Sequence, residues 1–204
     1  MIHMKTEIEA KFLDIDPNAI RDKLKELGAS LVYPESTVRQ KVFDYPDFRL
    51  DKEMSWLRLR EENGVVVLTF KKWEKEGIDG MKEIETKTDS FEETERILLS
   101  IGMTIKSTQT KKRELWKLDG VEFMIDTWPW IPTFIEIEGD TENEVRAAAD
   151  KLNLSWEKAL FGGVSRIYKK YFDIEYERVD RCLEVIFSPT PEWLEKKRIG
   201  NIQS

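Results

Sequence analysis

Along most of the chain, apolar and polar residues alternate one by one, and a few stretches fall into a longer repeat. Alternate residues of a strand share a face, so the first pattern predicts strands and the second amphipathic helices. Residues 4–13 read as a strand. Asp16-Pro17 then supplies an N-cap and a proline at the first helical position, for a helix running to Gly28. Residues 37–45 read as extended, with a turn at Pro46-Asp47. Strands over 54–62 and 65–73 flank Asn63-Gly64, a hairpin signal, and another strand covers 80–88. Ser90 and Glu93 have capping-box spacing for a helix over 91–101, closed by Gly102. Strands over 104–118 and 121–128 meet at Asp119-Gly120, and a further strand covers 133–138. Helices follow over 141–152 and 164–172, and Pro189 and Pro191 leave a short helix or a tail. The expected fold class is α+β: an antiparallel eight-stranded β-barrel with helices packed outside.

The strands carry unusual polar faces. Glu7, Glu9 and Lys11 share one face, opposite Ile8, Ala10 and Phe12. Arg58 and Arg60 oppose Leu57 and Leu59, and Lys71 shares a face with Thr69 and Val67. Glu83, Glu85 and Lys87 fall together, as do Lys111 and Arg113. Glu122, Met124 and Asp126 oppose Val121, Phe123 and Ile125, and Glu136 and Glu138 oppose Ile135 and Ile137. Any one of these strands alone reads best as the solvated face of a sheet. Taken together they do not, because like charges two residues apart repel unless something lies between them. A divalent cation resolves Glu-x-Glu, and a phosphate resolves Arg-x-Arg. The charged faces are therefore expected to line a cavity, with the apolar faces turned outward.

Composition narrows the chemistry. Charged residues make up 36% of the 204 residues, against an ordinary share of roughly 25%. A net charge of -7 speaks against a general nucleic-acid binder. His3 is the only histidine, which excludes histidine triads and multi-histidine zinc sites, and carboxylates alone select Mg²⁺ or Mn²⁺. Cys182 is the only cysteine, so no intramolecular disulfide forms. No secretory leader and no run of about 20 apolar residues is present, and the expected location is cytoplasmic, without membrane binding. No G-x-x-x-x-G-K-[ST] loop occurs, so the anion site is not a P-loop.

Glu7-Ile8-Glu9-Ala10-Lys11 resembles the E-x-E-x-K start of the CYTH superfamily, the triphosphate tunnel metalloenzymes. Trp56-Leu57-Arg58-Leu59-Arg60, Leu68-Thr69-Phe70-Lys71, Lys82-Glu83-Ile84-Glu85, Lys111-Lys112-Arg113, Ile125-Asp126 and Phe134-Ile135-Glu136-Ile137-Glu138-Gly139 follow in that family's order, over residues 4–172. The resemblance implies a tunnel domain over 1–175, with 176–204 as an extension packed on it. It implies Glu7, Glu9, Glu136, Glu138 and Asp126 as metal ligands, and Lys11, Arg58, Arg60, Lys71, Lys111 and Arg113 as phosphate ligands. Lys11 and Asp126 are the implied catalytic pair, Asp126 as metal ligand or proton acceptor, with Glu83, Glu85 and Glu122 as supporting acids.

Two departures concern substrate preference. Gln40-Lys41-Val42-Phe43-Asp44 stands where family members often carry Asp-x-Tyr-Phe-Asp, and Ser165 and Tyr168 are separated where many carry Ser-Tyr. Lys158 and Lys169 are candidates for a tunnel-closing lysine. Trp128 and Trp130 are read first as packing residues and second as a platform for a base or thiamine ring. The leading function is a metal-dependent hydrolase of tripolyphosphate, ATP or thiamine triphosphate. A class IV adenylate cyclase and a non-catalytic polyphosphate-binding module are the alternatives, and a homodimer is left open.

Overall fold

The computed structural model describes residues 3–175 and 179–200. The first two residues of the chain, and 176–178 and 201–204 of the expected extension, lie outside them. One sheet runs through β1 (Lys5–Glu7), β2 (Glu9–Phe12), β3 (Ser30–Asp44), β4 (Ser55–Glu62), β5 (Val65–Trp73), β6 (Met81–Thr88), β7 (Thr104–Leu118), β8 (Val121–Thr127), β9 (Phe134–Glu138) and β10 (Glu184–Val185). The path is β1-β6-β5-β4-β3-β7-β8-β9-β2, and β10 adds to β7. All pairings are antiparallel except β10 with β7.

The barrel reading holds, but among the described residues the sheet has ten strands rather than eight. Two causes account for the difference. The expected strand over 4–13 is interrupted at Ile8, whose carbonyl accepts from Gly139 N–H at 3.1 Å. Residues before the break pair with β6 and those after it pair with β9, so one short segment bridges both ends of the sheet and nearly closes it. The second cause is β10, two residues that alternation could not register. β3 also begins at Ser30, seven residues before the expected start at 37, with register shifts around Tyr33.

Local signals fix the connections. Asn63, Gly64, Asp119 and Gly120 all have positive φ (47°, 76°, 51° and 88°), as tight hairpins matching strand twist require. In α1 (Pro17–Glu26) the Asp16 carboxylate accepts from Asn18 and Ala19 N–H. Ser90 caps α3 (Phe91–Ser100), but Glu93 pairs with Arg96 instead of completing the expected box. The complete box is at Thr141 and Glu144, opening α4 (Glu142–Lys151). The expected turn is present at Pro46-Asp47, and a single helical turn, α2 (Arg49–Lys52), follows it.

The core lies outside the barrel. Ala10, Phe12, Phe123, Ile125, Ile135 and Ile137 pack outward against Ile20 and Leu24 of α1 and Val145, Ala148 and Ala149 of α4. Phe43 and Leu59 meet Phe91 and Leu98 of α3. A third cluster joins Trp128 and Phe134 to Ile167, Tyr168 and Phe172 in and after α5 (Ser165–Tyr171). Val179, Val185 and Leu194 belong to that cluster, Leu194 lying in the short α6 (Glu192–Glu195). With the apolar faces consumed outside, the alternate residues of the same strands must face inward.

Candidate active site

The inward faces enclose a cavity of about 810 Å³. The candidate metal ligands, phosphate ligands and supporting acids all line it: Glu7, Glu9, Lys11, Arg58, Arg60, Lys71, Glu83, Glu85, Lys111, Arg113, Glu122, Asp126, Glu136 and Glu138, whereas Lys87, expected on the same face as Glu83 and Glu85, does not. What the structure adds is how these charges divide among themselves.

One corner is acidic. Glu7, Glu9 and Glu138 each bring a carboxylate oxygen within 4.8 Å of the others. The β2–β9 register sets Glu9 directly opposite Glu138, and the break at Ile8 still leaves Glu7 facing inward. Burial, then the charge of Glu136, pushes Glu9 up to about 8. Burial, then Glu7 and Glu136, pushes Glu138 up to about 7. Burial also raises Glu7, but Lys71 and Arg58 outweigh it and hold that carboxyl below its ordinary value. Glu7 Oε2 is buried with no hydrogen-bond partner. Three converging carboxylates, two resisting ionisation and one with an orphaned oxygen, fit a hard divalent cation.

Glu136 and Asp126 are drawn toward cations instead. Lys11 lies 3.1 Å from Glu136 and also pairs with Glu9. Arg113 grips Asp126 with two bonds of 2.6 Å and reaches Glu136 at 3.4 Å. Lys111 donates to Asp126 at 2.8 Å. Burial opposes ionisation of both carboxyls, but Arg113 and Lys111 hold Asp126 below the usual range, and Lys11 and Arg113 do the same for Glu136. Lys111 falls to about 8 through burial and the charge of Arg113.

The opposite wall is cationic. Lys71 is held by Glu7 and, at 3.5 Å, by Glu83. Arg60 Nε sits 3.1 Å from Glu62 but makes no hydrogen bond there. Arg58 has no ion pair among the described residues, and its Nε is buried and unpartnered. Burial, then Arg60, lowers Arg58 to about 10, so it stays charged at neutral pH. Glu85 accepts only a long bond from Thr69, at 3.4 Å, and Glu122 pairs at the rim with Lys117.

Several lining residues were not singled out from the sequence. Glu62 continues the Arg58–Arg60 alternation, so extending that strand by two residues finds it. Burial raises Glu62, but Arg113 and Arg60 outweigh it and bring it down to about 2, while Tyr33 donates to it. Lys106 breaks the β7 alternation because the β3–β7 register shifts between Val42 and Phe43. Lys106 is buried against Asp51 at 2.6 Å, and Arg181 bonds the other Asp51 oxygen at 2.7 Å. Met54, Trp56 and Trp73 also line the cavity.

Lys158 and Lys169 do not reach the cavity, and Lys169 pairs with Glu175. Ser165 lines it, whereas Tyr168 is core and donates to the Pro129 carbonyl. Trp128 packs in the third cluster and also borders the cavity under Lys111, and Trp130 donates to the Ser188 carbonyl.

No helix among the described residues is long and apolar enough to cross a membrane. A protein of Methanocaldococcus jannaschii, provisionally named an adenylate cyclase, is 28% identical over 136 residues, covering 65% of this chain and 75% of that protein. A Vibrio parahaemolyticus structure with a similar provisional name has a TM-score of 0.72 at 16% identity, over 82% of this chain and 99% of that one. A Hippeastrum protein, described as an adenylyl cyclase candidate with a dominant triphosphatase activity, has a TM-score of 0.54 at 18% identity, over 81% and 93%. At such identities the solved structures speak to the fold alone. The CYTH domain model matches residues 5–167, most of the chain and nearly all of the charged barrel, and on that match the chain belongs to the CYTH family.

Proposed function

We propose that this chain is a metal-dependent hydrolase of inorganic or organic triphosphates, with Mg²⁺ or Mn²⁺ held by Glu7, Glu9 and Glu138. One observation carries the reading: three converging carboxylates, Glu7 with an unpartnered oxygen, share the cavity with Arg58, which makes no ion pair among the described residues and whose buried Nε has no hydrogen-bond partner. A divalent ion with a phosphate chain supplies what both walls lack. When bound, the ion would neutralise phosphate charge and polarise the phosphoryl oxygens. Arg58 and Arg60 supply planar forks for phosphate oxygens. Lys11 is raised by Glu136 and Glu9 against the burial that lowers it, so it remains a cation and acts through its charge. Asp126, gripped by Arg113 and Lys111, remains ionised and fits the task of holding those two cations in place.

The cyclase reading has specific support in Met54, Trp56 and Trp73, which border the cavity and offer apolar surface to a base. The provisional name of the M. jannaschii relative points the same way. The test is purified protein with Mg²⁺ or Mn²⁺ on tripolyphosphate, ATP and thiamine triphosphate, scoring orthophosphate, pyrophosphate and cyclic AMP. The hydrolase reading expects orthophosphate from tripolyphosphate faster than cyclic AMP from ATP. Cyclic AMP and pyrophosphate from ATP, with tripolyphosphate intact, would establish the cyclase. Binding without any product would establish a polyphosphate-binding module.

A further inference from the structure

Gln40 on β3 stands between Arg60 of β4 and Gln109 of β7 in the sheet register. Its side chain borders the cavity and is 5% exposed. A chain of hydrogen bonds fixes which way its amide points. The Cys182 carbonyl can only accept, so the Ser107 hydroxyl, 2.6 Å away, gives its proton there. Ser107 Oγ must then accept from Gln109 Nε2, at 3.1 Å. That turns Gln109 Oε1 toward Gln40, whose Nε2 donates to it at 2.6 Å. Gln40 Oε1 is left at the end of the relay, buried and without a partner among the described residues. The relay is anchored at Cys182, beyond the residues 5–167 that match the family.

An unpartnered acceptor is out of place beside Arg58, Arg60 and Lys111 if those residues receive only phosphate. Phosphate oxygens are acceptors as well, so a phosphate chain cannot satisfy Gln40. Hydrolysis brings one further reactant into the cavity, and that reactant is a hydrogen-bond donor. We propose that Gln40 Oε1 holds the attacking water against the terminal phosphorus, its orientation set by the relay through Gln109 and Ser107 to Cys182. The inference rests on the hydrolase reading. In the step, the water oxygen bonds to the terminal phosphorus and the bridging P–O bond of tripolyphosphate breaks. Orthophosphate keeps one proton of the water, and the departing pyrophosphate takes the other. Gln40 orients and accepts no proton.

The test compares Gln40→Leu, Gln40→Glu and Ser107→Ala with the wild type on tripolyphosphate with Mg²⁺ or Mn²⁺, with thermal unfolding as a check on folding. Leucine removes the acceptor, and kcat is expected to fall about tenfold or more with KM unchanged. Glutamate keeps an acceptor but loses the Nε2 donor to Gln109 and adds a negative charge near the phosphates, so KM rises and kcat falls less than in Gln40→Leu. Ser107→Ala releases the relay without touching the cavity, and kcat falls less than in Gln40→Leu with KM unchanged. A Gln40→Leu loss residing in KM, equal kcat losses in the Leu and Glu variants, or no loss at all would overturn the proposal. Should Gln40→Leu not fold, Ser107→Ala still decides it: a kcat unchanged in Ser107→Ala, or a loss there that resides in KM, counts against the proposal. A wild type that cleaves no triphosphate sinks the hydrolase reading itself, whereas an active wild type indifferent to Gln40→Leu sinks only this inference.

Discussion

Burial of Glu9 beside Glu136 couples the stability of the metal-free protein to pH. Burial and Glu136 raise the Glu9 carboxyl from an ordinary 4.5 to about 8. The unfolded chain therefore releases the Glu9 proton near 4.5, while the folded chain keeps it until about 8. Between those values the folded state binds the extra proton, so stability falls as pH rises. Each unit is worth about 1.36 kcal/mol, so the full window is worth at most about 5 kcal/mol. Glu138, raised to about 7, adds to the same slope but shares the same repulsion, so the two do not sum.

Glu7, Asp126 and Glu136 carry lowered values, so their effect is confined to acid, below the ordinary carboxylate range. Lys111, lowered to about 8 from 10.5, acts with the opposite slope only above that pH. The assay is urea unfolding in a chelator at several pH values from 5.5 to about 7.5, for wild type and Glu9→Gln. Wild-type stability is expected to fall across the range and the variant's to fall much less, so that the variant is the more stable of the two at pH 7.5. Added Mg²⁺ should bind about tenfold more tightly per pH unit for each proton it displaces. Parallel pH profiles for the two proteins would refute the argument, because the repulsion it rests on would then be absent.

Other substitutions probe the remaining walls. Arg58→Ala removes a cavity cation that makes no ion pair among the described residues and should weaken tripolyphosphate binding by about 1.5–3 kcal/mol while barely affecting orthophosphate, as titration calorimetry would read. Equal losses for both ligands would indicate general electrostatics. Asp126→Asn leaves Arg113 and Lys111 buried without their shared anion and should cost about 3–5 kcal/mol in denaturant unfolding; a variant as stable as wild type would contradict the buried pairing. Ile137→Ala, on the outer face against α4, should cost about 2–5 kcal/mol with the affinity for tripolyphosphate retained, which would locate stability outside the barrel and binding inside it.

The inside-out barrel was legible because two rules agreed on the same residues. Alternation set Ile135 and Ile137 against Glu136 and Glu138, and the structure places the first pair in the outer core and the second in the cavity. The two hairpins were legible because Asn63-Gly64 and Asp119-Gly120 adopt positive φ at low cost. Where strict alternation fails, the sequence was silent. Lys106 reaches the cavity only through a register shift, and the break at Ile8 depends on a hydrogen bond from Gly139, which is far away in sequence. Charge pairing was equally hidden. Nothing in Lys111, Arg113, Asp126 and Glu136 as residue types says that these four pair among themselves while Arg58 makes no ion pair among the described residues.

That division of labour among charges has a thermodynamic consequence. A buried ion pair rarely repays its own desolvation, and a buried unpaired charge costs more still. The barrel interior therefore cannot be what holds this fold together. The outer clusters under α1, α3 and α4 supply the stabilisation, and the interior draws on it. The raised carboxyls of Glu9 and Glu138 and the orphaned atoms of Glu7, Gln40, Arg58 and Arg60 are the places where it is drawn down. Each is relieved by a group of the opposite kind: a cation for the acids, an anion for the arginines, a donor for the amide. A ligand that brings all three together is stabilised by every one of these reliefs at once. One that brings a single kind leaves the other groups unsatisfied, and on that physical ground metal and triphosphate are expected to bind cooperatively in this cavity.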